Sequence, residues 1–483
     1  MESIRNFLNR LLPKGSAMRH VSILAGGTTI AQGLNVAIMP VLSRIYSPSD
    51  FGVMAVFVSV TAILTELSGF RYHLAIPLPK HERYAKALVV LSFFLQEVFV
   101  VFISLILLVV GKSMLAKLSL DSLVPYRYLI PVGVAGMGGY LVLTQWAIRE
   151  KLFDAIARTR VTQSLTGAAT MIVMGFLGLR PFGLLIGKII GQAGGITTLA
   201  RSILKQKGFP KPPVEDIKRV AVRYRKFPMF ETWSGILNTM GAQITPILLV
   251  ALFNPEVAGF FAMAQNLLIL PSAFVGLAIG QVFIQKASVA RYEGRLKEVT
   301  MKAYSMLFQL GLFPILLLSL FSPVIFSYFL GARWVEAGFF ARIMGLWVAL
   351  AFVCSPMDVL FSVMDIQGIR LFVEAFQTLF RMLAIYIGGK IGGPYWAIGL
   401  FSLVGVAVYL VKLFILLRVS GNKMDEIFEK LIKKILVTFS LLSLPVLAVI
   451  FRISLLAQLI AAFVSLTLFL LLICVPIFKK HGL

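Results

Sequence analysis

Cysteine and histidine are scarce in this sequence. Its 483 residues include two cysteines and four histidines. Cys354 and Cys474 lie in separate hydrophobic stretches, so they provide no disulfide framework, and we expect them to be packing residues. The histidines are dispersed, and the complete glycine-lysine-serine pattern of a phosphate-binding loop is absent. We therefore expect no metal, no cofactor and no ATP-driven motor.

Charged residues are also few. They make up 14% of the chain, against 59% hydrophobic residues, and the mean hydropathy is +0.90. A bilayer core needs about 20 apolar residues per helix. The composition predicts an all-α integral membrane protein with about 14 transmembrane helices. The predicted segments cover residues 20–42, 51–72, 85–111, 125–148, 155–178, 181–201, 229–253, 258–284, 302–329, 337–361, 366–389, 394–417, 431–451 and 453–477.

Acidic residues are outnumbered. The chain has 21 Asp and Glu against 46 Lys and Arg, a net charge of +25. Such an excess would ordinarily indicate a nucleic-acid partner, but most of these cations lie in alternate loops between the hydrophobic stretches. That alternation follows the positive-inside rule. We therefore expect no nucleic-acid partner, both termini in the cytoplasm, and basic loops that contact anionic inner-leaflet lipids.

A pattern in the first quarter of the chain recurs about two hundred residues later. Residues 40–42 read Pro-Val-Leu and residues 47–52 read Ser-Pro-Ser-Asp-Phe-Gly, and residues 246–248 and 254–259 repeat the arrangement. This repeat predicts two pseudo-symmetric six-helix lobes around a V-shaped central cavity that opens to one side at a time. The predicted divisions are an amphipathic N-terminal arm (1–19), an N-lobe (20–201), a basic cytoplasmic connector (202–228), a C-lobe (229–418), and a basic loop with a C-terminal helix pair (419–483).

Polar side chains recur at helical spacing in three of these segments. Hydrogen bonding between neighbouring helices is one explanation, and the lining of a polar cavity is the other. Both interpretations stay open. The three stripes are Thr28, Gln32 and Asn35 in the first helix; Glu231, Ser234 and Asn238 in the seventh; and Arg370, Glu374, Gln377 and Arg381 in the eleventh.

Charges inside predicted helices are stronger functional candidates. On insertion scales a charged residue at a helix centre costs about 2.5–3.5 kcal/mol. Glu66, Glu97, Lys188, Glu374 and Arg381 are such residues. For Glu374 and Arg381 the alternative is an internal ion pair. The two lie about two helical turns apart, so their pairing would need a bridge or a third helix.

Glycines recur at every fourth position of the sixth helix. They are Gly183, Gly187, Gly191 and Gly195. Small residues at this spacing allow two helices to approach closely in a membrane. We expect a tight helix–helix contact along this face.

Several segments carry a family resemblance. They are residues 40–52, residues 149–153 and 157–165, Gly183–Gly187, and Gly191 with Gln192. In these segments and in their order, the chain resembles the Wzx-type flippases of lipid-linked oligosaccharides. These form the polysaccharide-export branch of the multidrug/oligosaccharidyl-lipid/polysaccharide exporter superfamily.

The resemblance implies a substrate and a location. The substrate is an oligosaccharide repeat unit on undecaprenyl pyrophosphate, moved from the inner to the outer leaflet of a bacterial inner membrane for O-antigen, capsule or exopolysaccharide assembly. Other polysaccharide assembly proteins would be partners. On this basis Arg44, Arg71, Arg149, Lys188 and Arg381 are candidates for the pyrophosphate; Thr28, Gln32, Asn35, Ser234, Asn238 and Gln377 for the sugars; and Glu66, Glu97, Glu231 and Glu374 for ion coupling.

Other functions remain open at this stage. Arg44, Arg71 and Arg149 are equally consistent with ordinary charge at membrane edges. A multidrug exporter of the same fold would carry cations, and its cavity should be acidic. A membrane polysaccharide polymerase or glycosyltransferase should have a large outer loop with catalytic side chains, whereas the predicted outer loops here are short. A scaffold that recruits assembly enzymes would explain neither the repeat nor the polar stripes.

Overall fold

The structure is a computed structural model that describes residues 17–207, 212–272, 277–451 and 453–476. Within these ranges every regular element is a helix. Those of ten residues or more are labelled in chain order: α1 Ala17–Ile45, α2 Pro48–Ser68, α3 Glu82–Val109, α4 Leu129–Arg149, α5 Phe153–Phe176, α6 Phe182–Ala193, α7 Ile196–Lys207, α8 Val214–Arg223, α9 Thr232–Leu252, α10 Pro255–Pro271, α11 Leu277–Tyr292, α12 Leu296–Leu320, α13 Val335–Cys354, α14 Gln367–Gly392, α15 Pro394–Val419, α16 Met424–Ile450 and α17 Leu455–Phe469.

Short helical turns connect or extend several of these helices. Three-residue-per-turn helices occupy Tyr72–Ala75, Asp121–Tyr126, Ala332–Trp334 and Ser355–Asp358. Wide π-helical turns occupy Phe227–Glu231, Phe326–Leu330 and Leu470–Cys474, and short α-helices occupy Gly111–Lys117, Ser322–Ile325 and Val359–Val363.

The all-helical membrane fold is confirmed. In the part of the chain that the structure describes, each predicted segment coincides with one helix or with two or three consecutive helical elements. Among the described residues, 11 helical segments are long and apolar enough to cross a membrane. Helices α1, α5, α8, α10 and α11 fall outside that group, because they are polar or short. The count of 14 spans therefore stays a prediction.

The chain forms two compact units. Unit 1 runs from Met1 to Ala262 and unit 2 from Met263 to Leu483. The lobe boundaries predicted from the repeat stay a prediction. The predicted amphipathic arm lies outside the described residues, apart from its last three positions, which belong to α1.

The repeated motif starts a helix in each of its two copies. In the first copy the Asp50 amide donates to the Ser47 hydroxyl (3.2 Å), and the Ser47 amide donates to the Asp50 carboxylate (2.8 Å). In the second copy the Val257 amide donates to Asn254 Oδ1 (3.0 Å). These bonds satisfy amides that a helix N-terminus leaves free. The motif is therefore a start signal for α2 and α10.

The predicted glycine contact on α6 is confirmed. A Cβ on Gly167 of α5 would lie 2.9 Å from the Gly187 carbonyl oxygen and 3.1 Å from the Gly191 Cα. A Cβ on Gly191 would lie 3.2 Å from the Gln163 carbonyl oxygen. Helices α5 and α6 thus pack backbone against backbone, as small residues in membrane helices allow.

The basic connector contains helix α8, which packs on α3. Val220 is buried in an apolar cluster with Tyr72, Ala85 and Leu88. The Tyr72 hydroxyl donates to the Ala221 carbonyl (2.9 Å). An ion pair of 2.8 Å joins Arg83 of α3 and the buried Asp216 of α8. In the part of the connector that the structure describes, the chain is thus folded against unit 1.

Unit 2 is organised around α13. This helix packs against α12 on one side and α15 on the other, and most of its side chains are buried. The C-terminal helix pair, α16 and α17, packs on α12, where the rings of Phe313 and Phe469 stack with centroids 4.7 Å apart. The pair is therefore an integral part of unit 2.

Candidate functional site

The two copies of the repeated motif contact each other within unit 1. A Cβ on Gly52 would overlap the carbonyl oxygen of Pro255. A Cβ on Gly259 would overlap the Pro48 carbonyl oxygen and would lie 3.0 Å from the Gly52 amide nitrogen. Only glycine permits this approach, because its lack of a Cβ leaves room for another backbone. The first turns of α2 and α10 are thus in direct backbone contact.

A cluster of polar groups fastens the other end of α2 to α9. The Arg71 guanidinium lies 3.0 Å from the Glu66 carboxylate and donates to the Glu231 carbonyl oxygen (3.1 Å). The Thr239 hydroxyl donates to the same carboxylate (2.9 Å). A Cβ on Gly235 would overlap this guanidinium, so Gly235 makes room for it. We call Glu66, Arg71, Gly235 and Thr239 the α2–α9 cluster.

Arg71 occupies an unusual backbone position. Its φ is +54°, in the left-handed region that non-glycine residues rarely adopt. The Arg71 and Glu66 side chains are each 22% exposed. An anion could therefore reach the guanidinium and compete with the carboxylate for it.

The stripe on α1 belongs partly to helix packing. The Thr28 hydroxyl donates to the Leu24 carbonyl one turn earlier (2.9 Å), and Asn35 accepts from the Ser164 hydroxyl of α5 (2.9 Å). Gln32 is half-buried. The structure thus shows hydrogen bonding between neighbouring helices for Asn35, whereas the Thr28 bond stays within α1. The contact of either residue with a sugar stays a prediction.

The polar stripe at α9 is exposed. Ser234 and Asn238 of α9 are exposed, and so is Glu231 just before it. One turn beyond Asn238, Gln243 accepts from the buried Ser59 of α2 (3.1 Å). Two side-chain bonds therefore join α2 to α9, at Ser59 and Glu66. Arg71 adds a third link, from the turn after α2 to the residue before α9.

The remaining cations predicted for unit 1 lie in different surroundings. Arg149 donates to the Pro79 carbonyl (2.7 Å), with longer bonds to the Ile76 and Pro77 carbonyls. Lys188 is half-buried on α6, and Arg44 is exposed at the end of α1. Arg149 thus holds the segment between α2 and α3. Glu97 is exposed on α3, away from the α2–α9 cluster.

Arg381 of α14 lies among aromatic rings in unit 2. Its guanidinium carbon is 4.4 Å from the Trp347 ring centroid and 4.5 Å from that of Phe401. With its amide oxygen turned to the guanidinium, Gln377 accepts two hydrogen bonds of 3.0 and 3.2 Å. In the described ranges, Arg381 Nε and Trp347 Nε1 are buried and have no hydrogen-bond partner. Ring faces stabilise the cation without neutralising it, so the site retains a positive charge.

Glu374 does not bridge to Arg381. It pairs with Arg370 one turn away, at 2.8 Å. The two residues were expected to need a third group, and the structure shows that each has a different partner.

A buried ion pair in unit 2 was missed by the sequence analysis. The Lys412 ammonium of α15 lies 2.8 Å from the Asp358 carboxylate, and Lys412 is only 4% exposed. Asp358 lies in the short 3₁₀ turn that interrupts the helix after Cys354. Pro356 in a hydrophobic stretch was the available signal, since proline breaks helices and frees polar groups for a partner.

His73 makes the stability of unit 1 sensitive to acid. Burial, reinforced by the neighbouring Arg71, lowers the pKa of His73 from 6.5 to about 4. The unfolded chain therefore binds the proton more tightly, and stability is lost as the pH falls from 6.5 towards 4, by up to about 3 kcal/mol. We expect the melting temperature of the purified protein to fall over this range.

The His73→Gln variant should lose much of this dependence. His81→Gln, at an exposed position nearby, is the matched control and should keep the wild-type profile. Equal profiles for wild type and His73→Gln would contradict the assignment.

Within the described ranges, no group of three or more His, Cys, Asp or Glu side chains is placed to hold a metal ion. The side chains at Arg71 and Arg381 offer charge and hydrogen bonds, which suit the binding of an anion and, at Arg71, the exchange of one ionic partner for another.

Comparison with known proteins matches this chain to a protein family. A family model described as "Polysaccharide biosynthesis protein" matches residues 41–338. Among curated proteins, no sequence matches.

Solved structures share the fold at low sequence identity. The lipid II flippase MurJ in an inward closed conformation is 15% identical, with a TM-score of 0.63 over 94% of this chain and 99% of MurJ. An inward-facing multidrug resistance transporter of the MATE family in the MOP superfamily is 14% identical, with a TM-score of 0.59 over 82% of this chain and 94% of that one. A MOP superfamily transporter from Pyrococcus furiosus is 15% identical, with a TM-score of 0.55 over 84% of this chain and 97% of that transporter.

Proposed function

The chain belongs to the polysaccharide biosynthesis protein family, and we propose that it is a flippase for an undecaprenyl-pyrophosphate-linked oligosaccharide. It would move the repeat unit from the inner to the outer leaflet of a bacterial inner membrane by alternating access. The product would serve O-antigen, capsule or exopolysaccharide assembly. Both termini would lie in the cytoplasm.

The physical problem posed by this substrate supports the proposal. A pyrophosphate with several sugars would lose its hydration in the hydrocarbon core, at a high free-energy cost. A transporter solves this by offering cations to the pyrophosphate and hydrogen-bonding side chains to the sugars. Arg71 and Arg381 are cations of this kind, and the exposed Ser234 and Asn238 are neutral polar groups.

The observation that carries the proposal is the fastening of α2 at both ends to helices of the second repeat. Its first turn lies against α10 through Gly52 and Gly259, and its last turn is held to α9 through Glu66 and Arg71. In the predicted topology these are the outer and inner ends of α2. A substrate path opens to one side when one of these contacts separates while the other is kept.

We propose a role for Arg71 in that exchange. Arriving pyrophosphate competes with the Glu66 carboxylate for the guanidinium, because both are anions that accept charge-assisted hydrogen bonds. When Arg71 turns to the substrate, its bond to the Glu231 carbonyl is lost and the attachment of α9 is weakened. Lys188 and Arg381 would hold the anion later, and Arg44 would lie near the outer exit.

Two energy sources fit this mechanism. Moving about two negative charges outward is favoured by an inside-negative potential, by about 2.3 kcal/mol per charge per 100 mV. Proton or sodium antiport through Glu66, Glu97, Glu231 or Glu374 is the second source.

The test is the sidedness of lipid-linked oligosaccharide in cells depleted of the protein, measured with a membrane-impermeant lectin or glycosidase. The proposal expects complete repeat units trapped on the inner leaflet. Units that reach the outer leaflet without being polymerised would indicate a polymerase instead. Unchanged lipid-linked oligosaccharide together with accumulation of cationic dyes would indicate a drug exporter.

Arg71→Gln should lower export in such cells by at least tenfold, because the pyrophosphate loses its first cation. Arg71→Lys should restore part of the activity, since the charge remains but the bidentate geometry does not. Arg223→Gln, at an exposed position of α8, is the control and should export normally. Full export by Arg71→Gln at normal protein levels would contradict the role of Arg71.

A further inference from the structure

A cavity of about 590 Å³ lies in unit 2, between the N-terminal turns of α12 and α16. Its size falls within the range of about 300–1,000 Å³ that is typical of small-ligand sites. Its polar lining comes from three helix-borne lysines, one glutamate, one serine, one glutamine and one asparagine: Lys297, Lys302, Lys430, Glu298, Ser305, Gln309 and Asn422. Met301, Met306 and Pro476 provide the apolar part.

Two of the lysines form no close ion pair among the described residues, although the Glu426 carboxylate also acts on Lys430. Lys297 pairs with Glu426 at 2.8 Å. Lys302 and Lys430 are exposed and have no ion-pair partner among the described residues. Just behind the lining, Lys434 donates to the Ser305 carbonyl oxygen (3.1 Å) and adds another positive charge. Glu298 is the single carboxylate in the described lining, so the cavity carries a net positive charge.

A buried polar atom in the lining has no partner. Asn422 is 1% exposed, and its amide nitrogen donates to the Leu417 carbonyl and the Ser420 hydroxyl. Its Oδ1 has no hydrogen-bond partner in the part of the chain that the structure describes. Leaving a buried acceptor unsatisfied is costly unless a ligand or water supplies a donor. The cavity thus combines cations for an anion with acceptors, Asn422 Oδ1 and Glu298, for a hydroxyl or amine.

The position of the cavity indicates where such a ligand would come from. Helices α12 and α16 are both long and apolar enough to cross a membrane, and each begins with charged residues before its apolar part. The cavity lies where the charged turns meet the apolar ones, which is the level of lipid headgroups. Its methionines and Pro476 offer an apolar side on which an acyl chain can rest.

We propose that this cavity binds the headgroup of an anionic phospholipid. The phosphodiester lies between Lys302 and Lys430, and a hydroxyl of the headgroup donates to Asn422 Oδ1. Phosphatidylglycerol has this chemistry, because it carries one negative charge and free hydroxyls. Phosphatidylcholine has neither the net charge nor a donor. The inference concerns lipid binding alone and does not rest on the proposed transport function.

The experiment is native mass spectrometry of the purified full-length protein, titrated with phosphatidylglycerol or phosphatidylcholine, with Kd measured for each lipid. A lysine near a membrane surface contributes about 1 kcal/mol, which is about fivefold in Kd. We expect Lys302→Gln and Lys430→Gln each to weaken phosphatidylglycerol binding by about that factor, and the double variant by tenfold or more. Lys433→Gln is the matched control, an exposed lysine on α16 outside the cavity, and it should stay within twofold of wild type.

Several outcomes would overturn the proposal. Equal affinity for the two lipids would show that the cavity does not discriminate between their headgroups. An equal loss of phosphatidylglycerol affinity in Lys433→Gln would show that the lysines act only through nonspecific surface charge. Displacement of the lipid by free glycerol phosphate at equal concentration would identify a water-soluble phosphate as the ligand. None of these results bears on export, so failure here is distinguishable from failure of the proposed function.

Discussion

Lys412→Met is expected to lower the free energy of unfolding by about 3–5 kcal/mol, because it leaves the Asp358 carboxylate buried without a counter-charge. The ammonium is 2.8 Å from this carboxylate and almost fully buried. Asp358 Oδ1 already lacks a hydrogen-bond partner among the described residues. Arg370, the other cation that acts on this carboxylate, is already paired with Glu374 and does not replace Lys412. The measurement is thermal or denaturant unfolding of the purified protein in detergent.

The double variant Lys412→Met/Asp358→Asn should recover most of that loss, since removal of both charges eliminates the uncompensated carboxylate. Lys86→Met breaks the exposed pair with Glu82 and should cost at most about 0.5 kcal/mol. A single variant as mild as this control, or a double variant worse than the single one, would show that the pair does not stabilise unit 2 in the way argued.

Gly52→Ala is expected to abolish export, because the added methyl group overlaps the Pro255 carbonyl and prevents the first turns of α2 and α10 from meeting. If this contact is the outer closure of the proposed flippase, the variant stays open to the outside. It cannot then receive substrate from the inner leaflet. Export of lipid-linked oligosaccharide in cells and labelling of a cysteine placed near the contact would measure the two consequences.

Gly33→Ala is the matched control for that experiment. It places the same methyl group in the interior of α1, where nothing lies within 4 Å of the new Cβ. Alanine favours a helix over glycine by up to about 1 kcal/mol, so this variant should fold and export at least as well as wild type. Normal export by Gly52→Ala would contradict the closure, whereas loss of folded protein in both variants would indicate a general intolerance of substitution.

Local patterns predicted much of the fold. Apolar stretches of membrane length located the helices, because the helical backbone satisfies its own hydrogen bonds in lipid. The motif at residues 47–52 indicated the repeat, and the Ser47–Asp50 bonds show that it also starts a helix. The glycine spacing on α6 predicted its close packing against α5, because small side chains at every fourth position form one face.

The candidate sites were less predictable. Glu374 and Arg381 could be recognised as charges that are costly to place in a membrane, but the groups that they contact could not, since these depend on how several helices pack. Glu374 forms an ion pair with Arg370, and Asp358 forms one with Lys412. Arg381 contacts aromatic rings and Gln377. Lys412 lies near a basic segment in the sequence, so its burial beside Asp358 could not be recognised from local pattern.

The sequence by itself determined the class of the protein, its helices, its repeat and its family resemblance. These follow from hydrophobicity, capping and residue spacing, which act over a few turns of one helix. Only the tertiary structure decided that the two repeated motifs contact each other, that Arg71 is held by Glu66 and α9, and that a basic cavity with an unsatisfied Asn422 forms between α12 and α16. Such arrangements depend on the packing of helices far apart in sequence, and that packing sets which charges meet a partner and which remain free to bind one.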